Sequence, residues 1–194
     1  IDIFGVEDIF VSNIDNTGGL LDKSLYGYFR DRAEHENLEA LVEVAQKKEG
    51  DKGGGLALVQ GRPGFLERAN VPDELLDSYN GTETFPFFNT NTMWFRAAAI
   101  LNRQFDLPLR VSSEVRNPEA PDNPWLKFEN AMVHGLDSLK WTTILIERGE
   151  RFMPDKYLVD LWIKRAWALV IHGRILPPMQ DGRFISPPLI QIGR

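Results

Sequence analysis

The sequence contains no cysteine. That excludes a disulfide scaffold and thiol chemistry, and it agrees with a cytoplasmic protein. Its three histidines, His35, His134 and His172, have no metal-ligand spacing. No apolar run approaches the ~20 residues of a membrane span, and no signal-peptide pattern is present. No partnership with a membrane is expected. The net charge of -6 denies the chain the basic surface that general nucleic-acid binding requires. It leaves room for a small anionic ligand held by one or two local cations. A Gly-x-Ser-x-Gly elbow, a Walker loop, internal repeats and low-complexity tracts are all missing.

What is present is a chain of 194 residues, 43% apolar and 26% charged, enough for one domain with a substantial core. It opens at Ile1 without methionine and closes on residues 187–194 with apolar side chains still to bury. This reads as an internal piece of a longer protein. Residues 9–11 form an apolar, β-branched run that stops at Asn13-Ile14-Asp15-Asn16-Thr17-Gly18-Gly19, a strand ending in a turn. Residues 21–36 have helical spacing with Asp22 as N-cap. Asn37 breaks that helix, and residues 38–44 read as the next strand. Strand, helix, strand is a crossover unit, so the fold class expected is α/β, a mixed and mainly parallel sheet flanked by helices.

Further on, strands are expected at 56–60, 65–67, 87–95, 111–115, 125–130 and 141–147. Helices are expected at 72–79, 96–104 and from Pro154 to a cap at Gly173. The last of these carries an apolar stripe of Leu158, Leu161, Trp162, Ala166, Leu169 and Val170. Residues 117–124 form a loop with three prolines.

Five stretches carry chemistry, each with a plainer alternative. Asp15 projects from the carboxyl end of a strand, where open α/β sheets keep ligands. One carboxylate there suits Mg²⁺, with Asn13 and Asn16 adding neutral hydrogen-bonding groups; the alternative is an Asx-type turn. Gly53-Gly54-Gly55 permits close backbone approach to a ligand or simply makes a flexible turn. Glu67 is a strand acid or a surface charge. Asn89 and Asn91 share one strand face between aromatic clusters, where each amide offers both donor and acceptor to a sugar, or else they satisfy each other in an irregular loop. Lys156 stands near a helix N-terminus, the wrong end of the macrodipole for a cation; it is a phosphate contact or a solvated lysine.

Taken in order, these stretches resemble the eukaryotic-type UDP-glucose pyrophosphorylase family. Its Asn-x-Asp-Asn-Leu-Gly is similar to Asn13-Ile14-Asp15-Asn16-Thr17-Gly18, and its Lys-Gly-Gly-Thr-Leu to Lys52-Gly53-Gly54-Gly55-Leu56. Its Leu-Glu-x-Ala-x-Val-Pro matches residues 66–72, its Phe-Asn-Thr-Asn-Asn-Leu-Trp residues 88–94, its Leu-Glu-Thr-Ala residues 128–131, and its Arg-Phe-Leu-Pro-Val-Lys residues 151–156. Thr17, Gly55, Thr92 and Asp155 depart from the pattern.

The resemblance implies a nucleotide-diphospho-sugar transferase core, incomplete at its N-terminus. Residues 1–194 would be part of one catalytic domain, without the family's Gly-rich nucleotide loop and C-terminal β-helix. It implies transfer of uridylyl from UTP to glucose 1-phosphate, with Asp15 holding Mg²⁺ and Lys156 contacting phosphate as the catalytic pair. Gly54, Glu67, Asn89 and Asn91 would bind the sugar, and Asn13 would join them in binding substrate. It also implies that these residues alone are catalytically silent and hold UTP poorly. The competing expectations are a UDP-sugar or UDP-N-acetylhexosamine pyrophosphorylase, and a non-catalytic scaffold of the same fold.

Overall fold

The computed structural model describes residues 5–49, 51, 53–59, 61–101, 103–114, 125–156, 160, 179–180 and 183–184. The proline-containing loop at 117–124 and the apolar stripe expected between 158 and 170 lie outside them. Among the described residues no helix is long and apolar enough to cross a membrane.

The order is β1 (Asp8–Val11), α1 (Lys23–Glu36), β2 (Ala40–Gln46), β3 (Gly55–Val59), β4 (Arg62–Leu66), α2 (Leu76–Asn80), β5 (Phe87–Arg96), α3 (Ala97–Leu101), β6 (Leu109–Glu114), β7 (Trp125–Asn130), β8 (Trp141–Leu145), α4 (Arg148–Arg151), β9 (Met179–Gln180) and β10 (Arg183–Phe184). A 3₁₀ turn, Asp73–Leu75, leads into α2, and a longer one, Met132–Ser138, separates β7 from β8. The helix expected at 72–79 is therefore half 3₁₀, with Pro72 as its cap rather than its first residue.

Both ends of α1 follow the sequence signals. The Asp22 carboxylate accepts the N–H of Ser24 at 2.8 Å and of Leu25 at 2.9 Å, satisfying two orphan donors of the first turn. Asn37 then adopts φ 55°, ψ 39°, the left-handed conformation that ends helices.

The main sheet runs β4-β3-β5-β2-β8, with β1 also on β5. It is mixed, as expected, but the balance differs. Among the described residues only β2·β8 is parallel, while β1·β5, β2·β5, β3·β4 and β3·β5 are antiparallel. The physical reason is β5. It inserts between β1 and β2, so those two strands run parallel across it without touching, and the β1-α1-β2 crossover spans an intervening strand. β3 and β4 join as a hairpin, which is antiparallel by construction.

β2 is central and buried on both faces, so its periodicity is nearly lost. Ala40, Val42 and Val44 pack with Met93, Phe95, Val133 and Leu136 on one side. Leu41 packs with Trp94 and Phe29 of α1 on the other. The imperfection in its apolar pattern is Glu43, 1% exposed. The Glu43 carboxylate accepts from Arg151 Nε and Nη2, both at 2.8 Å, and from Trp94 Nε1 at 2.9 Å. A buried carboxylate needs such partners, and these tie β2, β5 and α4 together.

Candidate functional site

The site lies where the edge of β5 changes partner. β1 pairs with its second half, Val11 opposite Met93. β3 begins at its first half, Gly55 opposite Phe88. Asn89 to Thr92 lie in the gap. On the other edge, Glu43 faces Thr92 but Val44 faces Asn89, so β5 carries extra residues in a bulge. Asn91 takes φ 57° there, a conformation that asparagine tolerates better than most side chains.

The bulge is held by its own polar groups. Asn89 Nδ2 donates to Asn91 Oδ1 at 2.6 Å, and Asn91 N–H donates to Asn89 Oδ1 at 2.9 Å. Thr90 Oγ1 donates to the Glu43 carbonyl at 2.7 Å. Asn89 is thus buried and engaged at both side-chain atoms, and it shapes Asn91 rather than facing outward. The two amides satisfy each other, and Asn91 also fronts a cleft.

That cleft has a volume of about 500 Å³ and is lined by Asn13, Glu67, Asn91, Lys127, Glu129 and Asn130. Asn13 follows the end of β1 and Glu67 follows the end of β4; both strands run toward the middle of β5, so their ends converge there. Glu67 packs on Gly54, where an added Cβ would stand 2.3 Å from Oε1. The other glycines of the triplet are equally committed. A Cβ on Gly53 would meet the Phe88 ring at 2.6 Å, and one on Gly55 the Phe85 ring at 2.7 Å. The Gly54 carbonyl accepts the Asn89 N–H at 2.9 Å. The triplet's close approaches are therefore to the protein's own side chains. All five residues expected to bind substrate meet at this one place, three directly and Gly54 and Asn89 through their neighbours.

Lys127 lies outside the sequence motifs, and Glu129 and Asn130, which belong to the motif match at residues 128–131, carry no expected site role. They come from the β6–β7 ribbon, whose register places Lys127 opposite Ser112 and Glu129 opposite Arg110. The signal was the alternation of Leu126 and Phe128 with Lys127 and Glu129. Lys127 Nζ stands 2.5 Å from Glu129 Oε2, with both side chains about half exposed.

Asp15, two residues beyond Asn13 in the chain, meets Lys156; neither lines the cleft itself. The turn closes through Asn16 N–H to Asn13 O and Gly19 N–H to Asn16 O, each 3.0 Å. Asn16, not Asp15, makes the Asx contact, its Oδ1 accepting Gly18 N–H at 3.3 Å. Asn16 also accepts Met153 N–H at 2.8 Å and donates to the Arg151 carbonyl at 3.1 Å. Asp155 N–H donates to the Asp15 carbonyl at 2.7 Å. Pinned in this way, residues 153–155 deliver the Lys156 ammonium to the Asp15 carboxylate as an ion pair. Asn16 is consumed by this clamp, whereas Asp15 keeps about a third of its side-chain surface and Lys156 more than half. Among the described residues no group of three His, Asp or Glu side chains converges on a metal position. A metal here would rest on the single Asp15 carboxylate and need ligand oxygens for the rest of its shell. Thr92 Oγ1 lies 3.0 Å from Ser12 Oγ and is buried on the α1 side, so this departure from the family pattern touches the turn's anchorage and not the cleft.

A family model described as UTP--glucose-1-phosphate uridylyltransferase matches residues 3–194. The chain is 33% identical to the UTP--glucose-1-phosphate uridylyltransferase of Hordeum vulgare and 39% identical to that of Astragalus penduliflorus. Each match covers 81% of this chain and 33% of the relative. Among solved structures, UDP-glucose phosphorylase from Trypanosoma brucei superposes with a TM-score of 0.69 at 29% identity over 84% of this chain and 36% of that one. The L281D mutant of UDP-glucose pyrophosphorylase from Leishmania major, in complex with UDP-glucose, gives 0.67 at 26% identity over 84% and 38%. The chain spans about a third of the length of the curated relatives it matches.

Proposed function

The chain belongs to the UTP–glucose-1-phosphate uridylyltransferase family, and from that premise we propose that the protein carrying it transfers a uridylyl group from UTP to glucose 1-phosphate. The observation that carries this reading is the convergence of Asn13, Glu67 and Asn91 on one cleft, with an Asp–Lys pair whose Asp15 lies two residues beyond Asn13 in the chain. Asn91 Nδ2 and the Asn13 amide have no side-chain hydrogen-bond partner among the described residues, so both are available to sugar hydroxyls. Glu67 supplies acceptors for the same hydroxyls.

In the reaction, an oxygen of the sugar phosphate attacks the α-phosphorus of UTP in line. The new P–O bond forms as the bond to the β-phosphate breaks, and pyrophosphate leaves. Positioning and charge neutralisation dominate such transfers. Lys156 supplies a point charge to the phosphates. Asp15 would hold Mg²⁺, which neutralises phosphate charge when bound; the exposed part of its carboxylate supports that role.

The test is UDP-glucose formation by the full-length protein with Asp15→Ala and with Lys156→Ala. A loss of 100-fold or more in each is expected, and near-normal turnover in both would remove these roles. Comparing sugar 1-phosphates in the same assay separates glucose from N-acetylhexosamine or broader UDP-sugar use. Binding of UDP-glucose without any turnover would favour a non-catalytic domain of this fold.

A further inference from the structure

Tyr79 takes no part in the chemistry above, yet its hydroxyl touches backbone on both sides of the Gly54–Glu67 contact. The residue sits in α2 and is 1% exposed. Its oxygen accepts the Gly55 N–H at 3.1 Å and lies 2.7 Å from the Leu66 carbonyl and 3.1 Å from the Gly53 carbonyl. One O–H donates to one acceptor at a time, so the shorter contact to Leu66 is the principal bond and Gly53 the alternative. Gly55 and Leu66 are register partners at the end of the β3–β4 ladder. Gly55 immediately follows Gly54, and Leu66 immediately precedes Glu67. The hydroxyl therefore fixes, from one atom, the backbone that presents each side of the contact.

Such an anchor is needed because three consecutive glycines bring no side chains of their own to hold the segment, and glycine loses the most conformational freedom on ordering. The phenol ring is itself immobilised. Phe85 packs on it with ring centroids 5.1 Å apart. The Lys47 ammonium stands 4.5 Å from the ring centroid and donates to the Tyr79 carbonyl. Burial raises the phenol's pKa, which keeps it a neutral donor.

We propose that Tyr79 is a positioning residue of the sugar site, its hydroxyl setting the distance between Gly54 and Glu67 and hence where the Glu67 carboxylate meets the sugar. The inference rests on the reading of the cleft as the sugar site. Tyr79→Phe removes the one oxygen and keeps the ring. In the full-length enzyme it raises KM for the sugar 1-phosphate by about ten-fold, short of the roughly hundred-fold loss that a 1 Å misplacement costs. KM for UTP stays within two-fold. A merely structural role would lower the amount of active enzyme and the melting temperature while leaving both KM values alone.

An unchanged sugar KM in a wild type that turns over glucose 1-phosphate overturns the inference and leaves the functional reading standing. A wild type that neither binds nor turns over the sugar phosphate overturns both. If Tyr79→Phe does not fold, Phe85→Leu loosens the ring's packing while keeping the hydroxyl. It gives the same selective rise at smaller size, and equal KM values there overturn the inference as well.

Discussion

Replacing Gly54 by alanine perturbs the cleft at a known point and by a known distance. The new Cβ would stand 2.3 Å from Glu67 Oε1 and 3.0 Å from its Cδ, where ordinary contact begins near 3.4 Å. The carboxylate must therefore retreat by about 1 Å. The displaced atom is the far end of a half-buried side chain, so the stability cost sits at the low end of the ~1–3 kcal/mol typical of overpacking. Function is another matter, because a 1 Å misplacement of a substrate-positioning group costs roughly a hundred-fold. In the full-length protein, kcat/KM for glucose 1-phosphate is expected to fall between ten- and a hundred-fold, with the unfolding midpoint nearly unchanged. Glu67→Ala should give a loss of similar size. The double variant should be no worse than either single one, since both act on the same carboxylate. Additive losses, or a Gly54→Ala enzyme of wild-type efficiency, would refute the reasoning that Gly54 acts through Glu67.

Three further outcomes follow from other parts of the fold. Gly27 lies inside α1 with nothing within 4 Å of an added Cβ, so Gly27→Ala should stabilise the chain by ~0.5–1 kcal/mol in denaturant unfolding. Arg151→Met leaves the buried Glu43 carboxylate with Trp94 alone and should destabilise by ~3–5 kcal/mol; a loss below 1 kcal/mol would show that the pair does not anchor α4. His35 Nδ1 bonds the Asp31 carbonyl at 2.9 Å, with the Asp31 carboxylate at 3.4 Å, and these two effects, in that order, raise its pKa above 6.5. A raised folded-state pKa means that its stabilising contribution is complete below pH 6.5 and is lost as pH rises through the folded value. An NMR titration of His35 giving 6.5 or lower would contradict this.

Local signals with a mechanism read correctly from the sequence. The Asp22 cap, the Asn37 stop and the turn after β1 are set by nearest neighbours in the chain, so the sequence displays them directly. The sheet's strand directions were not legible in the same way. They depend on β5 entering between β1 and β2, a long-range pairing that no local pattern records. Glu43 was hidden for a similar reason: its partners Trp94 and Arg151 are distant in sequence, and only their arrival makes a buried carboxylate tolerable. At the site, the motif residues were visible as types, but their division of labour was not. Asn89 and Asn91 look equivalent on alternating positions, and the bulge makes one a support and the other a lining residue. Glu129 is visible within the motif at residues 128–131 and Lys127 is not, but for both a place in the cleft depends on the pairing of β7 with β6.

The central claim is that the cleft bounded by Asn13, Glu67 and Asn91 holds the sugar. A crystal structure of the full-length protein with UDP-glucose tests it most directly. The account predicts the glucose ring in that cleft, with its hydroxyls in hydrogen-bond contact with Glu67 and with the Asn91 amide. A glucose ring bound elsewhere, with those two side chains untouched, would contradict it.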